Sequence, residues 1–124
     1  MNTAENINSN NAFQLMVGTA EGTFFFHPED IVRLEASSNY TYIYFTNRAK
    51  MVASKVLKEF AMALEPVGFV RTHRTHLLNR NHISHVRPDG KVMMRDDSTA
   101  EVSRRLKSKV MRTLRAAESM ERRA

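Results

Sequence analysis

The chain contains no cysteine, which excludes a disulfide framework, a thiol nucleophile and any cysteine-ligated metal or iron–sulfur site, and fits a cytoplasmic setting. Its four glycines are too dispersed to form a phosphate-cradling loop or a dinucleotide fingerprint, and no G-x-S-x-G nucleophile elbow occurs. There is no run of about 18 apolar residues. The N-terminus lacks the basic start and apolar stretch of a signal peptide, so nothing is expected to span or cross a membrane. Positive charge is missing from the beginning of the chain: no lysine or arginine precedes Arg33.

What is present fits one domain, because 124 residues with 42% hydrophobic content can fill one core and leave no room for a second. The net charge is +6, and its distribution says more than its size. All 19 basic residues lie from Arg33 onward, whereas Glu5, Glu21, Glu29 and Asp30 come before it. A basic working surface built from the middle and C-terminal parts of the chain is therefore expected, the footprint that a phosphate backbone requires.

Residues 1–11 are rich in Asn, Ser and Thr without an apolar period and are expected to form a flexible tail. The folded unit is expected over 12–116, with a fraying end at 117–124. Phe13–Val17 and Thr23–Phe26 have the spacing of a hairpin. Ile31–Glu35, Tyr40–Phe45 and Lys50–Ala53 predict three further strands. In the second of these, Tyr40, Tyr42 and Tyr44 share one face, and Thr41, Ile43 and Phe45 the other. Leu57, Phe60, Ala61 and Leu64 then repeat at helical spacing after Ser54, a candidate N-cap, and Pro66 and Gly68 end the helix. A β-like stretch from Phe69 to Val86 is broken by a polar segment around Thr72–His76. Arg87-Pro-Asp-Gly-Lys91 predicts a tight turn between two paired strands, and Thr99–Val102 another strand. Ser103 can cap a final helix with Leu106, Val110 and Leu114 on its inner face.

Four histidines at 73, 76, 82 and 85 suggest zinc, but residues three apart on a strand point to opposite faces and the nearest carboxylate, Asp89, sits in a turn. No metal site and no cofactor are expected, and Asp96-Asp97 reads as solvated turn surface. The segment Arg71-Thr-His-Arg-Thr-His76 is more informative, since arginine grips guanine edges or phosphate with a two-pronged fork. The basic face of the last helix could serve phosphates or only water. The tyrosine strand leaves open an alternative, an RNA- or single-strand-binding module that stacks bases on exposed rings.

Asp30-Ile-Val-Arg-Leu-Glu-Ala-Ser-Ser-Asn-Tyr40 resembles the D-I-x-x-I-E-A-x-x-N-Y signature of LytTR-type DNA-binding domains, the LytR/AgrA family of bacterial transcriptional regulators. Val56-Leu-Lys-Glu-Phe60 is similar to the family's S-L-K-E-L helix, and Phe69-Val-Arg-Thr-His-Arg-Thr-His-Leu-Leu-Asn79 to F-x-R-x-H-R-S-x-x-V-N. Asn81-His-Ile83 and Val102-Ser-Arg-Arg105 match the x-H-I and V-S-R-R that follow. Thr75 and Leu78 depart from the usual Ser and Val.

The resemblance implies a mainly β fold, small antiparallel sheets in an elongated β sandwich with one or two short helices. It further implies a non-enzymatic, sequence-specific reader of double-stranded DNA whose loops enter major grooves, two copies occupying repeated half-sites as a homodimer on DNA. Neither a membrane nor a small-molecule substrate is implied as a partner. Carried over by position, Asn39, Thr41, His73, Arg74 and Arg105 are expected at bases or their phosphates, and Ser38, Arg104 and Lys107 at peripheral phosphates. Most relatives carry a phosphoacceptor domain or membrane helices, so this chain is expected to act as a stand-alone reader.

Overall fold

The computed structural model describes residues 13–123, with side chains to residue 116. The expected tail at 1–11 lies outside the described residues. Among the described residues, ten strands, two α-helices and three short 3-10 turns follow one another, and every strand pairing is antiparallel. β1 (Leu15–Thr19) and β2 (Gly22–Phe26) form the expected hairpin. β3 (Ile31–Ser37), β4 (Tyr40–Phe45), β5 (Met51–Ala53), β6 (Phe69–His73) and β7 (His76–Asn79) make a sheet of order β5-β4-β3-β7-β6. β8 (Ile83–Val86), β9 (Lys91–Met94) and β10 (Thr99–Glu101) make a third sheet with β9 in the middle. The fold is thus mainly β, with helices α1 (Leu57–Leu64) and α2 (Lys107–Arg123).

The five-stranded sheet is the middle layer, and its central strand shows why. Ile31, Val32 and Leu34 are all buried, so β3 feeds cores on both of its faces. Ile31, Leu34, Ile43 and Leu77 pack with the β1–β2 hairpin and with Leu57, Phe60 and Leu64 of α1. Val32, Val70 and Leu78 pack on the other side with Val92, Met94 and Ala100 of the third sheet and with Val110 of α2.

Arg33, a buried cation of this layer, is held by three contacts. Its Nη1 donates to Glu35 Oε1 at 2.8 Å, its Nε to Ser98 Oγ at 3.1 Å, and its guanidinium lies 3.9 Å from the Tyr44 ring centre. Burial alone would push the Asp96 carboxyl up. The hydroxyl and amide of Ser98 both donate to it and, with Arg33 nearby, hold it below its usual range.

One local expectation is corrected. α1 is entered from Val56, with no side-chain cap, and not from Ser54. Its 3-10 extension stops at Gly68, whose φ of 108° favours a residue without Cβ. Ser103 does cap the turn that leads into α2, its hydroxyl accepting from the Leu106 amide at 3.2 Å. α2 then runs as far as Arg123.

Candidate nucleic-acid interface

Strand register brings three polar segments to one end of the central sheet. β3 and β4 are joined by the two-residue tip Ser38-Asn39, with Ser37 opposite Tyr40. β7 runs antiparallel to β3, so that His76 stands opposite Glu35, and the Ala36 amide donates to the Thr75 carbonyl at 2.9 Å. The β6–β7 tip Arg74-Thr75 therefore lies beside the β3–β4 tip. The third segment is tied in by Thr72, which is fully buried. Its hydroxyl donates to the Glu101 carbonyl at 2.8 Å, and its own carbonyl accepts from the Ser103 amide at 2.9 Å. These two bonds fix the β10–α2 junction, and with it Arg104 and Arg105, next to the Arg74 tip.

Of the expected contact residues, Ser38, Asn39, Arg74, Arg104, Arg105 and Lys107 are exposed. Ser38 holds a left-handed φ of 57° at its tip, a conformation that a non-glycine residue keeps only where its surroundings impose it. The Lys107 ammonium donates to the Pro88 carbonyl at 3.3 Å, which anchors it over the β8–β9 turn. His73 is half-buried, and its Nδ1 faces both the amide and the hydroxyl of Thr75, at 3.1 and 2.9 Å. It shapes the tip from within as well as flanking Arg74.

Thr41 is the exception. It is fully buried, and its hydroxyl donates to the Lys55 carbonyl at 2.7 Å, strapping β4 to the entry of α1. Alternation along β4 turns it inward with Ile43 and Phe45, so its side chain is no part of the surface.

The sequence reading placed Arg71 in the basic segment but gave it no role of its own. This residue precedes the β6–β7 tip, and its Nε and Nη2 donate to the carbonyls of His73 and Arg74 at 3.1 and 2.6 Å. One guanidinium thus braces the backbone that carries Arg74. The preference of arginine for two-pronged bonding was visible in the sequence, but a turn without Gly or Pro gave no sign of which carbonyls it would meet. Two other motif residues prove architectural. Asn79 is buried, and its Nδ2 donates to the carbonyls of Pro28 and Ile31 at 3.1 and 3.0 Å. The ring of His82 bonds the Glu29 carbonyl at 2.9 Å.

The histidines do not behave as their spacing suggested. The turn between them makes His73 and His76 cross-strand partners on one face, their ring centres 5.5 Å apart, rather than opposite-facing neighbours. His82 and His85 bond elsewhere. Among the described residues no three His, Cys, Asp or Glu side chains converge as a metal site requires. His76 is buried and its Nδ1 has no hydrogen-bond partner. Burial pushes its pKa below the usual imidazole value; Glu35 and Glu101 pull it back, while His73 and Arg33 push further down.

Only one of the three tyrosines on β4 is open to solvent. Tyr40 is 52% exposed, whereas Tyr42 and Tyr44 are half-buried beneath Lys50 and Arg33. A stacking platform for single strands would need adjacent open rings, so this geometry does not favour it. No helix among the described residues is long and apolar enough to cross a membrane.

A family model described as the LytTr DNA-binding domain matches residues 21–115. Among solved structures, the chain is similar to the LytTr DNA-binding domain of a Bacillus cereus protein titled a putative methyl-accepting/DNA response regulator. The two are 25% identical and superpose with a TM-score of 0.70 over 82% of this chain and 95% of that one. No curated protein matches the sequence. With a mainly β fold of the same kind, a basic end built from three segments, and a family match that spans most of its length, the chain belongs to the LytTr DNA-binding domain family, a family of DNA-binding rather than enzymatic domains.

Proposed function

We propose that this protein is a transcriptional regulator that recognises a specific duplex sequence by placing the β3–β4 tip, the β6–β7 tip and the β10–α2 junction against the grooves of DNA. The observation that carries this reading is the convergence of Asn39, Arg74 and Arg105 at one end of the central sheet, each exposed and each on backbone fixed by other residues. Arg74 and Arg105 can each bond two acceptors on a guanine edge, the contact that best discriminates bases in the major groove. Ser38, Arg104 and Lys107 at the margin supply phosphate contacts that set affinity and orientation but read no sequence. Loops do the reading in this arrangement, because Asn39, Arg74 and Arg105 stand on two hairpin tips and a strand–helix junction and not along a helix face.

Selection from a random duplex library, followed by fluorescence anisotropy on the enriched sequence, a scrambled duplex and the single strand, tests the proposal. Enrichment of one motif, with tighter binding that persists as salt is raised, is the expected result. A library that yields no motif, with equal binding erased by salt, would leave only a basic surface. Preference for the single strand would reverse the choice of nucleic acid.

A further inference from the structure

Beneath the proposed DNA-facing end, β6, Glu65 and the first turns of α2 border a half-open cavity of about 450 Å³. This lies within the usual range for small-molecule sites. Its floor is apolar, formed by Phe69, Val70, Leu106 and Val110, of which only Leu106 is more than slightly exposed. Four cations line it, Arg71, Arg74, Arg105 and Lys109, against the single carboxylate of Glu65. A larger hollow of about 690 Å³, bordered by Pro28, Pro66 and Asn79, has Arg80 as its one cation and no part of the DNA-facing tips. The smaller cavity couples an apolar floor to a cationic mouth, and two cations of that mouth are the proposed base readers.

We propose that this cavity binds a small organic anion with an apolar, ring-sized body and a carboxylate, sulfonate or phosphate head, and that the bound anion competes with DNA for Arg74 and Arg105. The apolar body enters between Phe69 and Val110, and the head is held by the surrounding guanidinium and ammonium groups through charge-assisted hydrogen bonds. With its positive charge matched from inside, the tip offers less to a phosphate or a guanine. The competition rests on the reading of Arg74 and Arg105 as DNA contacts; the cavity itself does not. By linkage, whatever factor the ligand removes from DNA affinity, DNA must remove from ligand affinity.

The probe is 8-anilinonaphthalene-1-sulfonate, whose fluorescence rises in apolar surroundings, set beside N-phenyl-1-naphthylamine, which lacks the sulfonate. Lys109 lines this cavity alone and Thr113 borders both hollows, each at an exposed position of α2, so Lys109→Met and Thr113→Phe alter the mouth without entering the core, and the response to Lys109→Met assigns the site to the smaller hollow. Circular dichroism checks that both stay folded. The sulfonate should bind the unmodified protein at one saturable site, about tenfold more tightly than the uncharged amine. Lys109→Met should narrow that preference several-fold, and Thr113→Phe should abolish binding of both. Sulfonate binding unaffected by either substitution overturns the cavity as a site. Binding that Thr113→Phe abolishes, but that the selected duplex fails to displace, keeps the cavity and overturns the competition; duplex affinity that still falls in Arg74→Ala and Arg105→Ala shows that the DNA reading stands apart from that failure.

Discussion

Arg74 and Arg105 differ from Lys107 in what each can recognise, and the difference is measurable. A guanidinium fork aimed at a base edge discriminates, whereas an ammonium steadied on the Pro88 carbonyl acts as a point charge on any phosphate. Arg74→Ala and Arg105→Ala should each lower affinity for the selected duplex by about 1–3 kcal/mol and narrow the gap to random DNA. Lys107→Ala should weaken both duplexes alike and reduce the salt slope by about one. Titrations of all three variants at two salt concentrations check this; unchanged specificity in a folded Arg74→Ala protein would remove that tip from the reading surface. Asn79 carries the opposite expectation. Its loss removes one donor each from the carbonyls of Pro28, which keeps the Ile31 amide, and Ile31, and takes the acceptor from the Asn81 amide, so Asn79→Ala should cost about 1–3 kcal/mol in denaturant unfolding without altering affinity per folded molecule. The motif named Asn79 and Arg74 together, and the fold buries the first and exposes the second. Thr41 shows what alternation could say: the sequence put it on one face with Ile43 and Phe45, and that face is the buried one.

At the scale of elements, strand alternation was legible where a strand has one wet face, as on β4, and in the β1–β2 hairpin with its short polar turn. The β6–β7 hairpin was not. Its tip, Arg74-Thr75, holds neither Gly nor Pro, and its buried polar residues Thr72 and His76 read as loop because their partners lie far away in the chain. Ser54 was mistaken for a cap because Val56 has no capping side chain, and α1 is secured instead by burial of Leu57, Phe60 and Leu64. The same hairpin carries a pH dependence. The folded imidazole of His76 takes up its proton at lower pH than the unfolded one, so between those values the unfolded chain binds more protons. Its contribution is therefore full above about pH 6.5 and is lost as the pH falls through the folded pKa. Melting temperatures should drop over this window and flatten in a His76→Gln variant. Equal slopes for the two proteins would show that His76 titrates alike folded and unfolded.

At the scale of the whole molecule, the concentration of basic residues after Arg33 becomes intelligible once the layers are in place. The charge-poor β1–β2 hairpin packs on one side of the central sheet, while α2 and the third sheet, which bear much of the positive charge, pack on the other. The proposed reading surface consists of two hairpin tips and one strand–helix junction, a small footprint for a regulator that must find its site among many competitors. Each correctly read base pair adds about 1–3 kcal/mol, so a few contacts from one domain fall short of the discrimination that regulators reach. Two copies on repeated half-sites double the number of contacts, and the helical repeat of DNA then dictates their spacing. Half-sites about 10–10.5 base pairs apart present the same face of the duplex, so two domains can touch and bind cooperatively. Lengthening the spacer by about 5 base pairs turns the second site to the far side and should abolish the coupling while leaving each half-site's own affinity intact. Gel-shift titrations on the two spacings, scored for one-copy and two-copy complexes, measure this directly. Cooperative filling at the shorter spacing alone supports a paired reader. If one half-site with one copy already gives the full affinity of the natural site, the protein works as a monomer, and its specificity must come from deformation of the DNA around a single domain.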